Sequence, residues 1–284
     1  MGRIVPFEAA PFVQPGSPML FAAIAASCLG KRIAAVTRIS GSEESFLEPL
    51  KTAGIDLFVQ PGESYQYSVV FATANVDQRQ GFRTKVGEPF VISDIPPFEP
   101  CLLHLCCVGV RKFHLDLMRA LKARGFRLSV DMQSFVIQAD HETGTGATHL
   151  EDVPEKKEIV SMADFVKLDA MEAQILTGTD ALRDQADILE EWGCSETIIT
   201  CSEGALARSK GKTTFEKFTN RSTRGRMGRG DTIMGSYLAR RLDHSVEDSL
   251  RFAAALTSIK MESTGPFRGS LEDVIERMDS PFPG

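Results

Sequence analysis

Long apolar runs, metal-binding cysteine spacings and an excess of basic residues are all missing from this sequence. The longest apolar run near the start, Met19 to Leu29, is too short to span a bilayer and has no signal-peptide flanks, so no membrane or targeting segment is expected. The formal net charge is −6 and the pI is near 5.5, which makes nucleic acid and anionic membranes unexpected partners. Hydrophobic residues make up 43% of the chain and charged residues 25%, which excludes a disordered or fibrous protein.

The cysteines also exclude two kinds of site. They show no C-x-x-C spacing and are accompanied by five scattered histidines, which argues against a zinc site. A disulfide framework is not expected in a chain of 284 residues, because a chain of this length can bury a sizeable core. We therefore expect buried, reduced thiols in a cytoplasmic protein. The six cysteines are Cys28, Cys101, Cys106, Cys107, Cys194 and Cys201.

Helical and strand-like segments alternate over most of the chain. Ser17 to Leu29 has a helical pattern closed by Gly30, and the β-branched segment Arg32 to Ile39 follows it. The alternation resumes at Leu102 and continues to Met278. It predicts an α/β protein with a mostly parallel sheet that is covered by helices on both faces. Ligands of such sheets bind beyond the carboxyl ends of the strands.

Two stretches instead have the pattern of antiparallel strands. Residues 58–91 are rich in Tyr, Phe, Thr, Gln and Val, which predicts a small sheet projecting from the main body, with an ordinary edge hairpin as the alternative. Turn signals interrupt this stretch at Pro61-Gly62, Asn75, Gly81 and Gly87. Ala205 to Phe218 predicts a hairpin with its turn at Lys210-Gly211. The expected division is an α/β core, 13–57 and 93–284, and a small β-sheet lid, 1–12 and 58–92.

The segment GRMGRGDTIMG, residues 225–235, places three glycines and an acid just ahead of a predicted helix from Thr232 to Leu242. Consecutive N–H groups at a helix N-terminus bind phosphate, and glycines allow that backbone to approach it closely. Asp231 would repel a phosphate unless it had another role, and we expect it to act as the general base for an attacking hydroxyl. A glycine-rich turn capped by Asp231 is the structural alternative. The surrounding basic cluster is Arg221, Arg224, Arg226 and Arg229.

This segment resembles the C-terminal signature D-T-T-G-A-G-D-T-F-x-x-G of the ribokinase-like carbohydrate kinases, the pfkB family. The agreeing residues are Gly228, Gly230, Asp231, Thr232 and Gly235. The resemblance implies a ribokinase-like three-layer sandwich with a small antiparallel β lid, and it implies that Asp231 is the catalytic base and that Gly228 to Asp231 form the anion hole. The first acid of the signature is replaced by Gly225, which argues against a monovalent-cation site, and Arg229 in place of alanine would add a positive charge.

Val166 to Gly178 is similar to the K-L-N-x-x-E-A…L-T-G segment of the same family. The resemblance implies that Glu172 helps to hold magnesium and its waters near the phosphates, with Asp169 in place of the usual asparagine. Two acids spaced three residues apart at a strand-to-helix junction suit Mg²⁺, which prefers oxygen ligands. The structural alternative is an N-cap Asp169 with Glu172 completing a capping box.

Ile198 to Ala205 is similar to the nucleotide-side V-V-T-x-G-x-x-G-A segment of the family, although it is one residue shorter. The resemblance implies ATP contacts at Thr200, Ser202 and Gly204. Ser202 stands in place of a glycine. A plain β-turn is the alternative explanation of these three residues.

Two further segments concern the phosphate acceptor. Pro15 to Ala23 resembles the G-G-S-P-x-N-x-A-x floor of the sugar site, which implies a substrate contact at Gly16, although Leu20 replaces the asparagine. The opening strand of the family, with its G-x-x-x-x-D segment, is not found ahead of Gly16. Either that strand is missing from this sequence or the acceptor is recognised differently from a sugar.

Ser129 to Phe135 looks more like the V-D-x-Q stretch of plant-type myo-inositol kinases in this family than like that of ribokinase. Asp131 and Gln133 follow a predicted strand, so we expect them to face the cleft and to bind hydroxyls or a phosphate water. The alternative is a structural role in tying down the loop from Asp140 to His149.

The leading prediction is therefore an ATP- and Mg²⁺-dependent kinase that phosphorylates a hydroxyl of a small sugar or polyol. The lid would exclude water. Such lids pair between subunits in several relatives, so the resemblance implies a homodimer. The alternative is a non-catalytic nucleotide or metabolite sensor with the same fold, against which Asp231 argues, because a pure binder gains nothing from an acid beside a phosphate. A Rossmann-type oxidoreductase is excluded, because no G-x-G-x-x-G follows an early strand.

Overall fold

The computed structural model describes residues 2–8, 10–14, 16–73, 79–85, 87–108, 113–140 and 146–280, so the predicted turn at Asn75 lies outside the described residues. The strands in these ranges are β1 (Gly2–Val5), β2 (Phe12–Gln14), β3 (Ala34–Ile39), β4 (Asp56–Pro61), β5 (Gln66–Phe71), β6 (Arg79–Lys85), β7 (Leu102–Leu105), β8 (Arg127–Asp131), β9 (Ile137–Ala139), β10 (Thr148–Leu150), β11 (Phe165–Asp169), β12 (Glu196–Thr200), β13 (Gly204–Ser209) and β14 (Lys212–Lys217). The helices are α1 (Pro18–Ser27), α2 (Glu48–Thr52), α3 (Leu115–Ala123), α4 (Gln133–Val136), α5 (Lys156–Met162), α6 (Ala170–Thr177), α7 (Leu182–Glu191), α8 (Arg229–Arg241), α9 (Val246–Met261) and α10 (Leu271–Asp279).

The largest sheet contains six strands in the order β14-β13-β12-β11-β8-β7. β7, β8, β11 and β12 run parallel to one another. β13 and β14 form an antiparallel hairpin at one edge of the sheet. All of β12 is buried, as expected for a strand that is covered on both faces. The hairpin turns at Lys210 and Gly211, whose φ angles of 50° and 76° suit a two-residue turn between twisted strands. The predictions of a mostly parallel sheet and of this hairpin are confirmed.

Helices cover both faces of this sheet and make it the middle of three layers. On one face, α3 and α7 pack through residues such as Leu121 and Leu189. On the other face, α8 packs through Tyr237 and is flanked by α1 and α9. A Cβ atom on Gly235 would lie 2.1 Å from the carbonyl oxygen of Ala22, so glycine is what lets α8 approach α1 this closely.

A second sheet, with strand order β2-β1-β5-β6, corresponds to the predicted lid. β1 and β2 pair antiparallel, as do β5 and β6, but β1 runs parallel to β5. Parallel pairing is possible there because a long crossover through α1, β3 and β4 separates β1 from β5 in the chain. Residues 56–61 pair with β3 rather than with the lid strands, so residues 58–61 of the predicted lid range lie beside a core strand.

The core is interrupted between β3 and β7. β3 and β4 form a separate two-stranded parallel sheet, and no ladder of the described residues joins it to the six-stranded sheet. A cavity of about 940 Å³ lies between β3 and β7, and its walls include Leu20, Val36 and Leu103. His104 is part of the same wall: its Nδ1 lies 2.9 Å from the hydroxyl of Ser129, and burial lowers its pKa to about 4.

The six cysteines are free, as expected, but their predicted burial is wrong for most of them. Cys194 is buried, whereas Cys101 is exposed because it precedes β7 at the entrance of the strand. The remaining four are partly exposed. Across the described ranges, the helices are too short or too polar to cross a membrane.

Candidate active site

The glycine-rich segment forms the entrance of α8. This helix begins at Arg229, three residues earlier than predicted, so Gly230 and Asp231 lie in its first turn. Gly228 is the N-cap residue and has a φ of 78°, and a Cβ atom there would lie 2.4 Å from the ring of Phe21. The first N–H groups of a helix have no acceptor within the helix and carry partial positive charge. The entrance is therefore suited to binding an anion.

A buried ion pair lies directly behind this entrance. The Nζ atom of Lys167, in β11, lies 3.2 Å from both carboxylate oxygens of Asp131, at the end of the neighbouring strand β8. A Cβ atom on Gly230 would lie 2.7 Å from Cε of Lys167, so glycine lets the helix entrance and the lysine meet. Burial by itself would lower the pKa of Lys167, but Asp131 and the other nearby acids raise it, so the lysine stays charged.

Asp231 approaches the same ion pair from the first turn of α8. Burial raises the pKa of its carboxyl group to about 6, with Lys167 and Lys260 lowering it and Asp131 raising it. These charges act at a distance and not through a hydrogen bond to Asp231. The carboxylate is thus close to positive charge without being tied up by it, and a pKa near neutrality suits a group that accepts a proton during a reaction.

Asp169 and Glu172 form a capping box at the start of α6. The Asp169 side chain accepts hydrogen bonds from the N–H groups of Met171 and Glu172, and Glu172 Oε2 accepts one from the Asp169 N–H at 2.8 Å. Burial and, to a smaller extent, the Asp169 carboxylate raise the pKa of Glu172 to about 8. The described residues contain no cluster of three or more His, Cys, Asp or Glu side chains that could hold a metal ion. The capping box and a magnesium role both use carboxylate oxygens, and the magnesium role stays a prediction.

The three residues expected to contact a nucleotide occupy different environments. Thr200 is buried at the end of β12, and its hydroxyl donates to the Leu168 carbonyl at 3.4 Å. Ser202 is exposed in the turn that follows. A Cβ atom on Gly204 would lie 2.1 Å from the carbonyl oxygen of Glu216, so strand pairing with β14 already requires a glycine there. The role of these residues in binding ATP stays a prediction.

The three residues expected to bind the acceptor occupy different surroundings. Gly16 lies in the wall of the 940 Å³ cavity, next to Ser17, whose side chain caps α1. Asp131 is fully buried in its pair with Lys167, and it also accepts a hydrogen bond from the Gln133 N–H at 3.0 Å. The Gln133 side chain donates to the Cys107 carbonyl at 3.4 Å. The structure brings Asp131 close to Asp231, and the substrate contacts proposed for Gly16, Asp131 and Gln133 stay predictions.

Two lysines that the sequence motifs do not single out complete the site. Lys167 lies within the motif from Val166 to Gly178 but has no role assigned by it, and Lys260 lies outside every motif. Each is a charged residue in an otherwise apolar buried segment, which is the signal that could have identified them, because a buried charge needs a partner. Lys260 donates hydrogen bonds to the carbonyls of Gly225 and Met227, in the loop that leads into α8.

Comparison with known proteins agrees with the fold. Residues 147–273 match the sequence model of the pfkB family carbohydrate kinases. No curated protein matches the chain in sequence. A pyrophosphate-dependent kinase of the ribokinase family, solved with sulfate, is 26% identical and superposes with a TM-score of 0.88 over 96% of both chains.

Two further solved structures are similar over nearly the whole chain. A pyrophosphate-dependent myo-inositol-1 kinase, carrying mutations that convert it into a myo-inositol-3 kinase, is 26% identical, with a TM-score of 0.87 over 99% of this chain and 97% of that one. Arabidopsis thaliana ribokinase, complexed with ribose and ATP, shares the fold at 16% identity, with a TM-score of 0.74 over 98% of this chain and 95% of that one. Residues 147–273 are thus similar to the pfkB family carbohydrate kinases, the chain has the ribokinase-like fold, and its structural neighbours support a carbohydrate or polyol kinase.

Proposed function

We propose that this kinase transfers the terminal phosphoryl group of a polyphosphate donor to a hydroxyl of a small polyol, with Asp231 as the general base. The observation that carries the proposal is the position of Asp231. It lies in the first turn of α8, beside helix N–H groups suited to an anion, and burial raises its pKa to about 6. A single turn of helix thereby offers a proton acceptor and an anion-binding backbone side by side.

Phosphoryl transfer depends mainly on positioning and on neutralising the charge of the transferred group. The amides at the entrance of α8 would hold the terminal phosphoryl group. The charged Lys167 and the guanidinium of Arg229 bring positive charge to the same end of the helix, and Arg229 also lies 5.7 Å from the ring centre of Phe218. The acceptor hydroxyl would approach from the side of Asp231, which removes its proton as the new bond to phosphorus forms.

Asp169 and Glu172 are the residues that would hold Mg²⁺, since two carboxylates at the carboxyl end of β11 match its preference for oxygen ligands. The ion would neutralise charge on the donor phosphates. A nearby positive charge would also lower the raised pKa of the buried Glu172.

ATP is the expected donor, and pyrophosphate is a second candidate. Pyrophosphate is favoured by two of the similar solved structures, each 26% identical to this chain and described as that of a pyrophosphate-dependent kinase. It is also favoured by the environments of Thr200 and Gly204, because neither residue needs a nucleotide to explain its place. Four arginines between residues 221 and 229 supply the positive charge that a donor without a base would require.

For the acceptor, we propose a cyclic polyol such as myo-inositol. The Asp131 and Gln133 pattern resembles the myo-inositol kinase stretch, and one of the similar structures is a myo-inositol kinase. The cavity beside β3 is bordered mainly by apolar groups, so specificity for hydroxyls would depend on the few polar side chains that border it.

A matrix of donors and acceptors tests these proposals. ATP, GTP and pyrophosphate would each be combined with myo-inositol, ribose and fructose, with product formation followed by ³¹P NMR in the presence of Mg²⁺. We expect a phosphomonoester from a polyol with at least one donor, and none from the Asp231→Asn variant. Binding of ATP or pyrophosphate without turnover of any acceptor would contradict the kinase proposal and favour the sensor alternative.

We also propose that the lid mediates a homodimer. Phe7, Phe12 and Val13 are 41–55% exposed and lie on or next to the β1–β2 edge of the lid sheet. An edge strand with exposed apolar side chains is a site for pairing with another strand. Sedimentation analysis of the parent and of Val13→Lys tests this proposal, and we expect a dimer that the added charge weakens. A parent that stays monomeric would contradict it.

A further inference from the structure

Lys260 is a buried charge in the last turn of α9. Its side chain is among the most completely buried in the protein, and only 1% of the residue is exposed. An ammonium group removed from water is costly unless other groups replace its hydration. The surroundings of Lys260 must therefore supply that replacement.

Electron-rich groups surround the ammonium group. It donates hydrogen bonds to the carbonyls of Gly225 and Met227, and it lies 4.7 Å from the centre of the Phe21 ring. Two carbonyl oxygens and an aromatic face are also the kind of groups that surround a bound cation. Burial lowers the pKa of Lys260 to about 7, whereas Asp231 raises it, and the two carbonyls favour the charged form further.

The loop that Lys260 holds leads directly into the helix entrance. Gly225 is also tied to α9 through its own N–H, which donates to the Met261 carbonyl at 2.8 Å. Met227 is followed by Gly228, the N-cap of α8. Gly228 has a left-handed backbone conformation and lies so close to the Phe21 ring that a Cβ atom would not fit. The end of α9, the loop and the ring of Phe21 thus determine together where the α8 amides point.

We propose that Lys260 is a built-in cation that holds the Gly225–Gly228 loop in place, so that the enzyme needs no free monovalent cation to organise its anion hole. Lys260 is a positioning residue in this proposal, since it acts on the reaction through the loop and through its charge near Asp231. The proposal rests on the proposed phosphoryl transfer at the α8 entrance. It goes further by assigning the organising positive charge to a side chain.

Replacing the side chain by a small one tests the proposal. In Lys260→Ala the two carbonyls would lose the ammonium group of Lys260, which leaves a space where K⁺ or NH₄⁺ can bind. Because misplacement of a site by about 1 Å can cost roughly a hundredfold in rate, we expect kcat to fall by about 10- to 100-fold in tetramethylammonium chloride. KCl or NH₄Cl at the same ionic strength should raise the kcat of Lys260→Ala at least tenfold. The kcat of the parent should respond to neither salt.

Lys156→Ala is the matched control. Lys156 also donates to a backbone carbonyl, that of Leu176 at 2.7 Å, and lies over a ring, that of Trp192 at 5.5 Å. It lies in α5, which packs in a different core cluster from α8. Its replacement removes a similar set of contacts without touching the helix entrance. We expect the activity of this variant to be unchanged and insensitive to the choice of cation.

A second readout does not depend on activity. The midpoint of thermal unfolding of Lys260→Ala should rise in KCl relative to tetramethylammonium chloride, and that of the parent should not. If the protein proves not to be a kinase, this shift still tests the cation site. A parent that requires K⁺ for activity, or a folded Lys260→Ala whose midpoint and rate ignore K⁺ and NH₄⁺, would overturn the proposal. If Lys260→Ala does not fold, the activities of the parent and of Lys260→Arg, which keeps the positive charge, are compared with and without K⁺. Activity that is independent of K⁺ in both supports the proposal, and a K⁺ requirement in either overturns it.

Discussion

The proposed donor side and the proposed acceptor side of this protein are built differently. On the donor side, β11, β12, α8 and α9 bury charged residues in direct contact with specific partners, as in the pairs Lys167–Asp131 and Lys260–Gly225. On the acceptor side, α1, β3 and β7 border a 940 Å³ cavity, and the lid presents exposed apolar side chains. The family match at residues 147–273 covers the proposed donor side, and it reaches the cavity through residues of α8 such as Gly235 and Leu238.

This difference follows from the chemistry that each side performs. Handling a phosphoryl group requires fixed positive charge and a fixed base, and buried charges are stable only when every partner is in place. Recognition of an acceptor requires a cleft that opens, fills and closes, which is incompatible with dense packing throughout. We therefore expect substitutions on the donor side to have large and specific effects on rate and stability. On the acceptor side we expect a more mobile backbone.

The largest effect is expected for Asp231→Asn. Loss of a general base typically costs 10²- to 10⁴-fold, so kcat should fall by roughly a thousandfold, measured with the best donor and acceptor pair. Because the folded pKa of about 6 lies above the ordinary value of 3.8, ionisation of Asp231 lowers stability as the pH rises through 6. The variant should therefore be at least as stable as the parent at pH 8.

Asp184→Asn, an exposed acid in the first turn of α7, is the control for this experiment and should leave the rate unchanged. A fully active Asp231→Asn would contradict the assignment of the base and would remove the distinction between the two sides.

Next in size is the loss of the buried ion pair. In Lys167→Met the carboxylate of Asp131 loses its buried partner, which should cost about 3–5 kcal/mol of unfolding free energy, measured by urea denaturation. The double variant Asp131→Asn/Lys167→Met should recover a large part of this loss, since neither charge remains. Additive destabilisation by the two substitutions would show that the residues are not coupled.

A similar substitution at the surface should have almost no effect. Lys212 forms an exposed ion pair with Glu247, and Lys212→Met should change stability by less than about 1 kcal/mol.

The pH dependence of the rate should follow the same base. Asp231 must be ionised to accept a proton, and burial raises its pKa to about 6, so kcat/KM should decline as the pH falls below about 6. An ordinary aspartate would keep the enzyme active down to about pH 4. A profile that stays flat to pH 4.5 would show that the base is not in the buried environment of the structure.

The smallest expected difference concerns backbone mobility. Amides of β3 and β7, whose facing edges lie across the cavity, should exchange with deuterium faster than those of β11 and β12, which are paired on both sides. A difference of about tenfold or more, or about 1.4 kcal/mol in opening free energy, is expected when the rates are compared by mass spectrometry. Equal protection would mean that the cavity does not loosen the acceptor side.

Much of the donor side was predictable from local patterns. The alternation of elements predicted the α/β class, and the glycine-rich segment predicted the entrance of α8, because glycine is required wherever backbone or a side chain approaches closely. The structure displays this at Gly228 and Gly230, where a Cβ atom would collide with Phe21 and Lys167. The start of α8 was predicted three residues late, since glycines lower helix propensity and tertiary packing overrides that preference.

The sequence by itself thus determined the class of fold, the hairpin at Lys210-Gly211 and the glycine-lined helix entrance at 228–231, because these depend on periodicity and on backbone conformations that few residue types adopt. Tertiary structure decided the partners of Lys167 and Lys260 and the break between β3 and β7. Those features join residues far apart in the chain, such as Asp131 with Lys167 and Gly225 with Lys260. Their energies depend on burial and distance, which arise only when the separate elements pack together.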